Sequence, residues 1–265
     1  MKIEVLKTED LNLVKELQPD GWYNILPTIE FYTKNNFCYP IKILLGDKLV
    51  GIGTTIIHHE VSWLAHIIVH RDYRNRGFGK LITEKLIDIA KEHNYETICL
   101  IATDMGEPVY KKIGFEEETE YLFFKDIKLS NHDKDKNIFA FTENLKEELF
   151  LLDKKVSGEN RDFHLEKYLH TAFVYKKNDM LKGFYLPDFG EGLIIAEDKK
   201  AGLELMKFRF KDKDIIAFPI NNTFALDFMY KNNFKEFKRA KRMFLGKKRI
   251  VELEKIYSRV AGNLG

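Results

Sequence analysis

Arg74-Asn75-Arg76-Gly77-Phe78-Gly79 decides how the rest of the chain is read. It sits between an apolar run, Val61 to Val69, and a segment from Gly77 to Glu92 that carries Leu81, Ile82, Leu86, Ile87 and Ile89 at helical spacing. A strand, a glycine loop and an amphipathic helix in that order place free backbone N–H groups and a helix dipole where a phosphate can be held. Glycine at 77 and 79 lets the chain turn tightly and bring its amides close to a ligand, while Arg74, Arg76 or Lys80 supplies countercharge. Two familiar phosphate loops are excluded. A dinucleotide fingerprint needs a third glycine where Ile82 stands, and the loop lacks the G-x-x-x-x-G-K-[ST] pattern of nucleotide hydrolases.

Working outward, the spacing predicts a strand at the N-terminus through Ile3 and Val5, then a helix after Thr8. A hairpin follows, made of Ile41–Leu45 and Leu49–Ile57 across Gly46-Asp47. Beyond the helix come a strand at Thr97–Ala102, a short helix around Pro108–Lys112 and a strand at Thr119–Phe124. Between Lys128 and Asn137 the sequence loses nearly all large apolar side chains, and the domain boundary is expected there. Beyond it, strands near Thr171–Tyr175, Gly183–Leu186 and Gly192–Ile195 precede a helix at Lys199–Phe208. Strand Ile215–Pro219, helix Thr223–Lys231 and strand Lys238–Leu245 then repeat the order of the first half. The pattern predicts an α+β fold built by internal duplication, ending in a strand from Ile256 and a flexible tail.

The 265 residues are 45% hydrophobic and 32% charged, a composition that excludes a disordered or fibrous chain. Forty-three basic against 41 acidic side chains leave a net charge of +2, which is no nucleic-acid footprint. Glu4, Glu9 and Asp10 near the start, and the lack of an apolar run near ~18 residues, argue against a secretory signal and a membrane span. Two cysteines, Cys38 and Cys99, make no disulfide framework, so a cytoplasmic protein is expected.

A second motif, Tyr110-Lys111-Lys112-Ile113-Gly114-Phe115, follows the strand at Thr97–Ala102. Together the two motifs resemble the GNAT superfamily of acetyl-CoA-dependent N-acetyltransferases, over residues 1 to about 126. The resemblance implies a splayed sheet in which Ile67, Ile68 and Val69 pair through their backbones with the pantetheine arm. It also implies a pyrophosphate grip by Arg74, Asn75, Arg76, Gly77, Phe78, Gly79 and Lys80, and a coenzyme contact from Thr103. Tyr110 stands where the family often places the acid that protonates the departing thiolate. The stretch Leu152 to Arg161 is similar to the start of the C-terminal domain in two-domain bacterial GNAT proteins. Two tandem GNAT-like domains are therefore expected, with mixed, mostly antiparallel twisted sheets flanked by helices. Residues 1–128 would be catalytic, and 138–265 a degenerate copy with no pyrophosphate loop. In that copy Met229 aligns with Tyr110, and Ala196, Glu197 and Asp198 replace the glycine loop.

The implied reaction is acetyl transfer from acetyl-CoA to a primary amine, small or on a protein, without a metal, nucleic acid or membrane partner; a homodimer is compatible. The other reading is an acyl-CoA sensor without turnover. Holding a lysine-like amine neutral at pH 7 costs ~4.6 kcal/mol, so something must take a proton. Strict strand alternation puts Trp63, Ala65 and Ile67 on one face and His66 and Ile68 on the other. The family's strand-borne bases use the face of 63 and 65, where alternation leaves no acid or imidazole, so ordered water is expected, aided by Glu60 or Asp104. His58, His59, His66 and His70 lack the partners and spacing of a metal site. Trp22, Tyr23, Phe31, Tyr32, Phe37 and Tyr39, with Asp20 and Glu30, form either a pocket for a cationic amine or a helix packed on the sheet.

Overall fold

The structure is a computed structural model that describes residues 1–129 and 134–265. Of the connection expected at 128–137, residues 130–133 lie outside the described residues. The chain divides into two compact units: Met1–Glu116 with Met243–Lys248 and Gly262–Leu264, and Glu117–Arg242 with Arg249–Ala261 and Gly265. Two short late segments thus return to the first unit. Local polarity marks where a chain is exposed, and carries no record of which sheet a distant strand joins.

The first unit comprises β1 (Lys2–Val5), α1 (Leu11–Val14), α2 (Leu26–Lys34), β2 (Cys38–Leu45), β3 (Lys48–Ile57), β4 (Ser62–Val69), α3 (Phe78–Glu92), β5 (Thr97–Ala102) and α4 (Glu107–Ile113). Its strands lie in the order β1-β2-β3-β4-β5, antiparallel up to the parallel pair β4–β5. The β2–β3 hairpin turns at Gly46, whose φ of +59° favours glycine. Helix α3, the crossover between β4 and β5, buries Ile82, Thr83, Leu86, Ile87 and Ala90. Two glycines of β3 admit it. A Cβ on Gly51 would stand 2.8 Å from Ile82 Cδ1, and one on Gly53 would stand 2.6 Å from Ile82 Cγ2 and 2.8 Å from Leu86 Cδ1. Ile82 and Leu86 are fully buried, each worth ~1.5–3 kcal/mol. The same core takes in Leu64, Ile98, Leu100 and Met243.

Strand β4 carries a bulge. Ile68 faces Ile52 and Ala65 faces Thr54, so three steps on β4 match two on β3, and His66 takes φ +48° to absorb the extra residue.

The second unit holds β6 (Glu116–Phe124), β7 (Ile138–Ala140), α5 (Lys146–Ser157), α6 (Asp162–Leu165), β8 (Phe173–Lys177), β9 (Met180–Leu186), β10 (Leu193–Ala196), α7 (Lys199–Arg209), β11 (Ile216–Pro219), α8 (Thr223–Lys231), β12 (Glu236–Gly246) and β13 (Ile256–Ser258). The last residues of β12, from Met243, belong to the first unit, and the first residue of β6, Glu116, does too. Strands β13-β10-β9-β8-β7 make an antiparallel sheet, and β6 pairs antiparallel with β11. Helix α7 lies close on β13 at Gly202, where a Cβ would fall 2.1 Å from the Tyr257 ring. Asp153 of α5 receives a two-pronged bond from Arg161, at 2.8 and 2.9 Å, with both side chains sealed from water. The α+β class and the mixed, mostly antiparallel sheets follow the sequence reading. The expected flexible tail does not. Leu264 is buried and Asn263 is hydrogen-bonded, because Gly262–Leu264 pack into the first unit.

Candidate active site

The β4–β5 pair is short. Only Ser62↔Ile98, Trp63↔Cys99 and Leu64↔Leu100 are in register, although β4 runs on to Val69 and β5 to Ala102. The two strands therefore part after Leu64, and among the described residues no strand pairs with the segment holding Ile67, Ile68 and Val69 on its β5 side. On its other side Ile68 and Val69 remain paired with Ile52 and Gly51. An unpaired strand edge offers alternate N–H and C=O groups to an extended ligand.

The glycine loop follows directly. After a single turn at Arg71–Tyr73 the chain reaches Asn75 at φ +60° and Gly77 at φ +85°, and Gly77 is the residue from which α3 starts. The left-handed backbone requires glycine at 77. Gly79 differs from the expectation, since it lies in the first turn of α3 outside the left-handed region. A side chain there would meet only Val69 Cγ2, at 3.9 Å, so its small size leaves open space rather than a tight turn. The first amides of α3 have no partner within the helix. Around them Arg74 bonds the Val69 carbonyl at 3.3 Å, Arg76 lies 5.2 Å from the centre of the Tyr73 ring, and Lys80 pairs with Glu84 at 3.6 Å. Arg74, Asn75, Arg76, Gly77 and Lys80 are exposed, and Phe78 is half-buried.

Thr103 directly follows β5 and starts the turn into α4, where its carbonyl accepts from Gly106 and Glu107, both at 2.9 Å. Tyr110 is on α4, its ring buried edge-on to Phe115 at 5.9 Å and over Gly106, where a Cβ would come within 2.7 Å of the ring. Burial pushes the Tyr110 phenol above its ordinary pKa, and its oxygen makes no hydrogen bond among the described residues.

The bulge overturns the expected faces of β4. Leu64, Ile67 and Val69 share the core beneath α3, so Ile67 is not on the face of Trp63 and Ala65. His66 instead meets Tyr32 of α2, at 2.9 Å from Nδ1 to the phenol oxygen, and packs edge-on against Trp22 and Tyr32 at 6.1 and 5.4 Å. Period-two alternation fails where one extra residue enters the strand, which is why the sequence left this face without an imidazole. Desolvation lowers the His66 pKa to about 4. Glu60 and Asp104 are both exposed, in the turn before β4 and after β5.

The aromatic stretch divides between its two readings. Ile29 and Tyr32 are buried on α2, whereas Trp22 and Tyr23 are 41% and 85% exposed, in a loop whose carbonyls at 19, 22 and 23 are gathered by the Gln18 amide. Among the described residues, no three His, Cys, Asp or Glu side chains are grouped to hold a metal.

The acetyltransferase (GNAT) family description fits residues 8–115. That match contains both the glycine loop and Tyr110. Ribosomal protein bS18-alanine N-acetyltransferase of Haemophilus influenzae is 29% identical over 79 residues, 29% of this chain and 54% of that one. The chain spans little more than half the length of the curated relatives it matches. A crystal structure of a protein from Pyrococcus horikoshii superposes over 100% of this chain and 95% of its own, with TM-score 0.82 and 20% identity. A tandem GNAT protein from the clavulanic acid biosynthesis pathway superposes over 92% of this chain and 98% of its own, with TM-score 0.59 and 11% identity. The fold is accordingly that of two tandem GNAT-like halves. In the second, Met229 is fully buried in the core and Asp198 caps α7 by accepting from Ala201 at 2.9 Å. Glu197 beside it pairs with Lys182 and Lys155. A capped, acidic helix start repels phosphate rather than binding it.

Proposed function

We propose that the protein transfers an acetyl group from acetyl-CoA to a primary amine, and that residues 1–128 contain the coenzyme site while 138–265 form a degenerate GNAT-like domain. The observation that carries this reading is the continuity of one stretch. An unpaired strand edge from Ala65 to Val69 leads within a few residues to the left-handed Gly77 and the free amides of α3. An extended arm ending in a pyrophosphate fits those two features in that order. Ile67, Ile68 and Val69 would pair with the arm; residues 74–80 would hold the pyrophosphate, with Thr103 at the β5 side.

In the transfer the amine nitrogen bonds to the acetyl carbon, the carbon–sulfur bond breaks, and the amine proton passes to water. Tyr110 is held protonated by burial, so it donates a hydrogen bond to the departing sulfur. Complete proton transfer from a phenol near pKa ~10 to a thiolate whose acid is near ~8.5 runs uphill by ~2 kcal/mol before burial is counted. The acceptor is an amine on a small molecule or a protein; the Haemophilus relative is named for the alanine of ribosomal protein bS18. No helix among the described residues is long and apolar enough to cross a membrane, and both cysteines are buried thiols, in keeping with work in the cytoplasm.

Calorimetry with acetyl-CoA on the full chain and on Gly77→Glu tests the site. The expected result is saturable binding that the variant weakens more than about tenfold, through a side chain forced into the left-handed region and a carboxylate set against phosphate. No binding by the unaltered chain refutes the proposal.

A further inference from the structure

The C-terminal tail reaches the bulge of β4. Asn263 donates from Nδ2 to the Tyr32 phenol oxygen at 2.8 Å, and that phenol lies 2.9 Å from Nδ1 of His66. All three residues belong to the first unit. Tyr32 is 1% exposed, and its oxygen already accepts from Asn263, so its own proton goes to the remaining neighbour, Nδ1. A ring that accepts at Nδ1 carries its proton on Nε2. That nitrogen has no partner among the described residues and is not sealed from solvent.

We propose that the Asn263–Tyr32–His66 chain fixes His66 as a neutral hydrogen-bond donor where β4 leaves β5, and that its Nε2–H selects acceptors bearing a carbonyl oxygen beside the amine, namely amino-acid amides and peptide N-termini. The inference rests on the acetyltransferase reading. Three observations point the same way. His66 is two residues past Leu64, the last residue of β4 paired with β5, so it flanks the opening into which the thioester would extend. Trp22, 41% exposed and edge-on to the ring, supplies an apolar wall beside the donor. Among the described residues the ring meets Tyr32 and Trp22 and no strong base, and a ring whose Nδ1 is already occupied and whose Nε2 holds a proton cannot take another from the substrate. An acceptor that is partly neutral by itself therefore suits the site. At pH 7 an α-amine is roughly one part in seven neutral, against roughly one in 2,500 for a lysine side chain.

The test compares alaninamide with propargylamine, a carbonyl-free amine of similar basicity, in steady-state acetyl transfer. The unaltered chain is expected to favour alaninamide in kcat/KM by about two- to tenfold, the worth of one hydrogen bond to a neutral donor. His66→Ala should bring that ratio towards one, chiefly through a raised KM for alaninamide, and His66→Gln, which keeps an N–H donor, should restore much of it. Asn263→Ala and Tyr32→Phe should lower the ratio, whereas a merely structural role would slow both amines alike. Nitrogen-15 spectra of the histidine rings provide a reading independent of turnover, with the neutral Nε2–H form expected for His66 at pH 7. A ratio untouched by His66→Ala, or a ring found charged or protonated on Nδ1, overturns the inference. Absence of acetyl-CoA binding would instead bring down the acetyltransferase reading, and acceptor selection with it, while the ring spectra would still decide the hydrogen-bond chain.

Discussion

His66 gives a quantitative prediction for stability against pH. The groups packed against it, the Tyr32 phenol and the Trp22 indole, carry no charge, and desolvation lowers its pKa from 6.5 to about 4. Between those values the unfolded chain binds a proton that the folded chain refuses, so stability present above pH 6.5 is lost as pH falls towards 4. A depression of ~2.5 units corresponds to ~3.4 kcal/mol when the loss is complete, and to ~2 kcal/mol on passing from about pH 7.5 to about pH 5. Since the ring is only half-buried, the fraction expected is about 1–2 kcal/mol. Glutamine keeps a polar side chain and cannot titrate. Urea unfolding of the unaltered chain and of His66→Gln at the two pH values should therefore show the former losing about 1–2 kcal/mol more than the variant, with unchanged slopes. Equal losses in both proteins would refute a neutral, desolvated imidazole at the bulge.

Replacing Tyr110 by phenylalanine should lower kcat by about 10²-fold or more while acetyl-CoA binding measured by calorimetry stays within severalfold, since the phenol oxygen bonds nothing else among the described residues. Asp153→Ala leaves the Arg161 guanidinium buried beside a lost partner, and denaturant unfolding should show about 3–5 kcal/mol less stability, more than the pair itself is worth. Gly53→Val places branched carbon where Ile82 and Leu86 already stand, so about 1–3 kcal/mol should be lost and the melting temperature should fall; an unchanged melting temperature would mean that α3 does not pack on β3 at this point.

Much of the molecule was legible because it is written in local periodicity and in residues with few uses. Helical spacing from Leu81 to Ile89, alternation in the hairpin and glycine at 77 each follow from the backbone geometry of a few neighbouring residues, so they survive without knowledge of the fold. The same holds in the second half, where Glu197 and Asp198 at a helix start already spoke against phosphate. By itself, then, the sequence determined the order of elements, the α+β class and the strand-loop-helix of the candidate site.

Only the tertiary structure decided what depends on register and on distant partners. One extra residue in β4 moved His66 to the face of α2, an event that alternation cannot anticipate because it assumes no residue is left over. The parting of β4 from β5 is a property of two strands and of neither alone. Asn263 meets Tyr32 across 231 positions of chain, and its hydrogen bond determines on which nitrogen a histidine carries its proton. Periodicity fades within a few turns of helix or strand, whereas a hydrogen bond needs only proximity in space, and for that reason the chemistry around His66 had to wait for the fold.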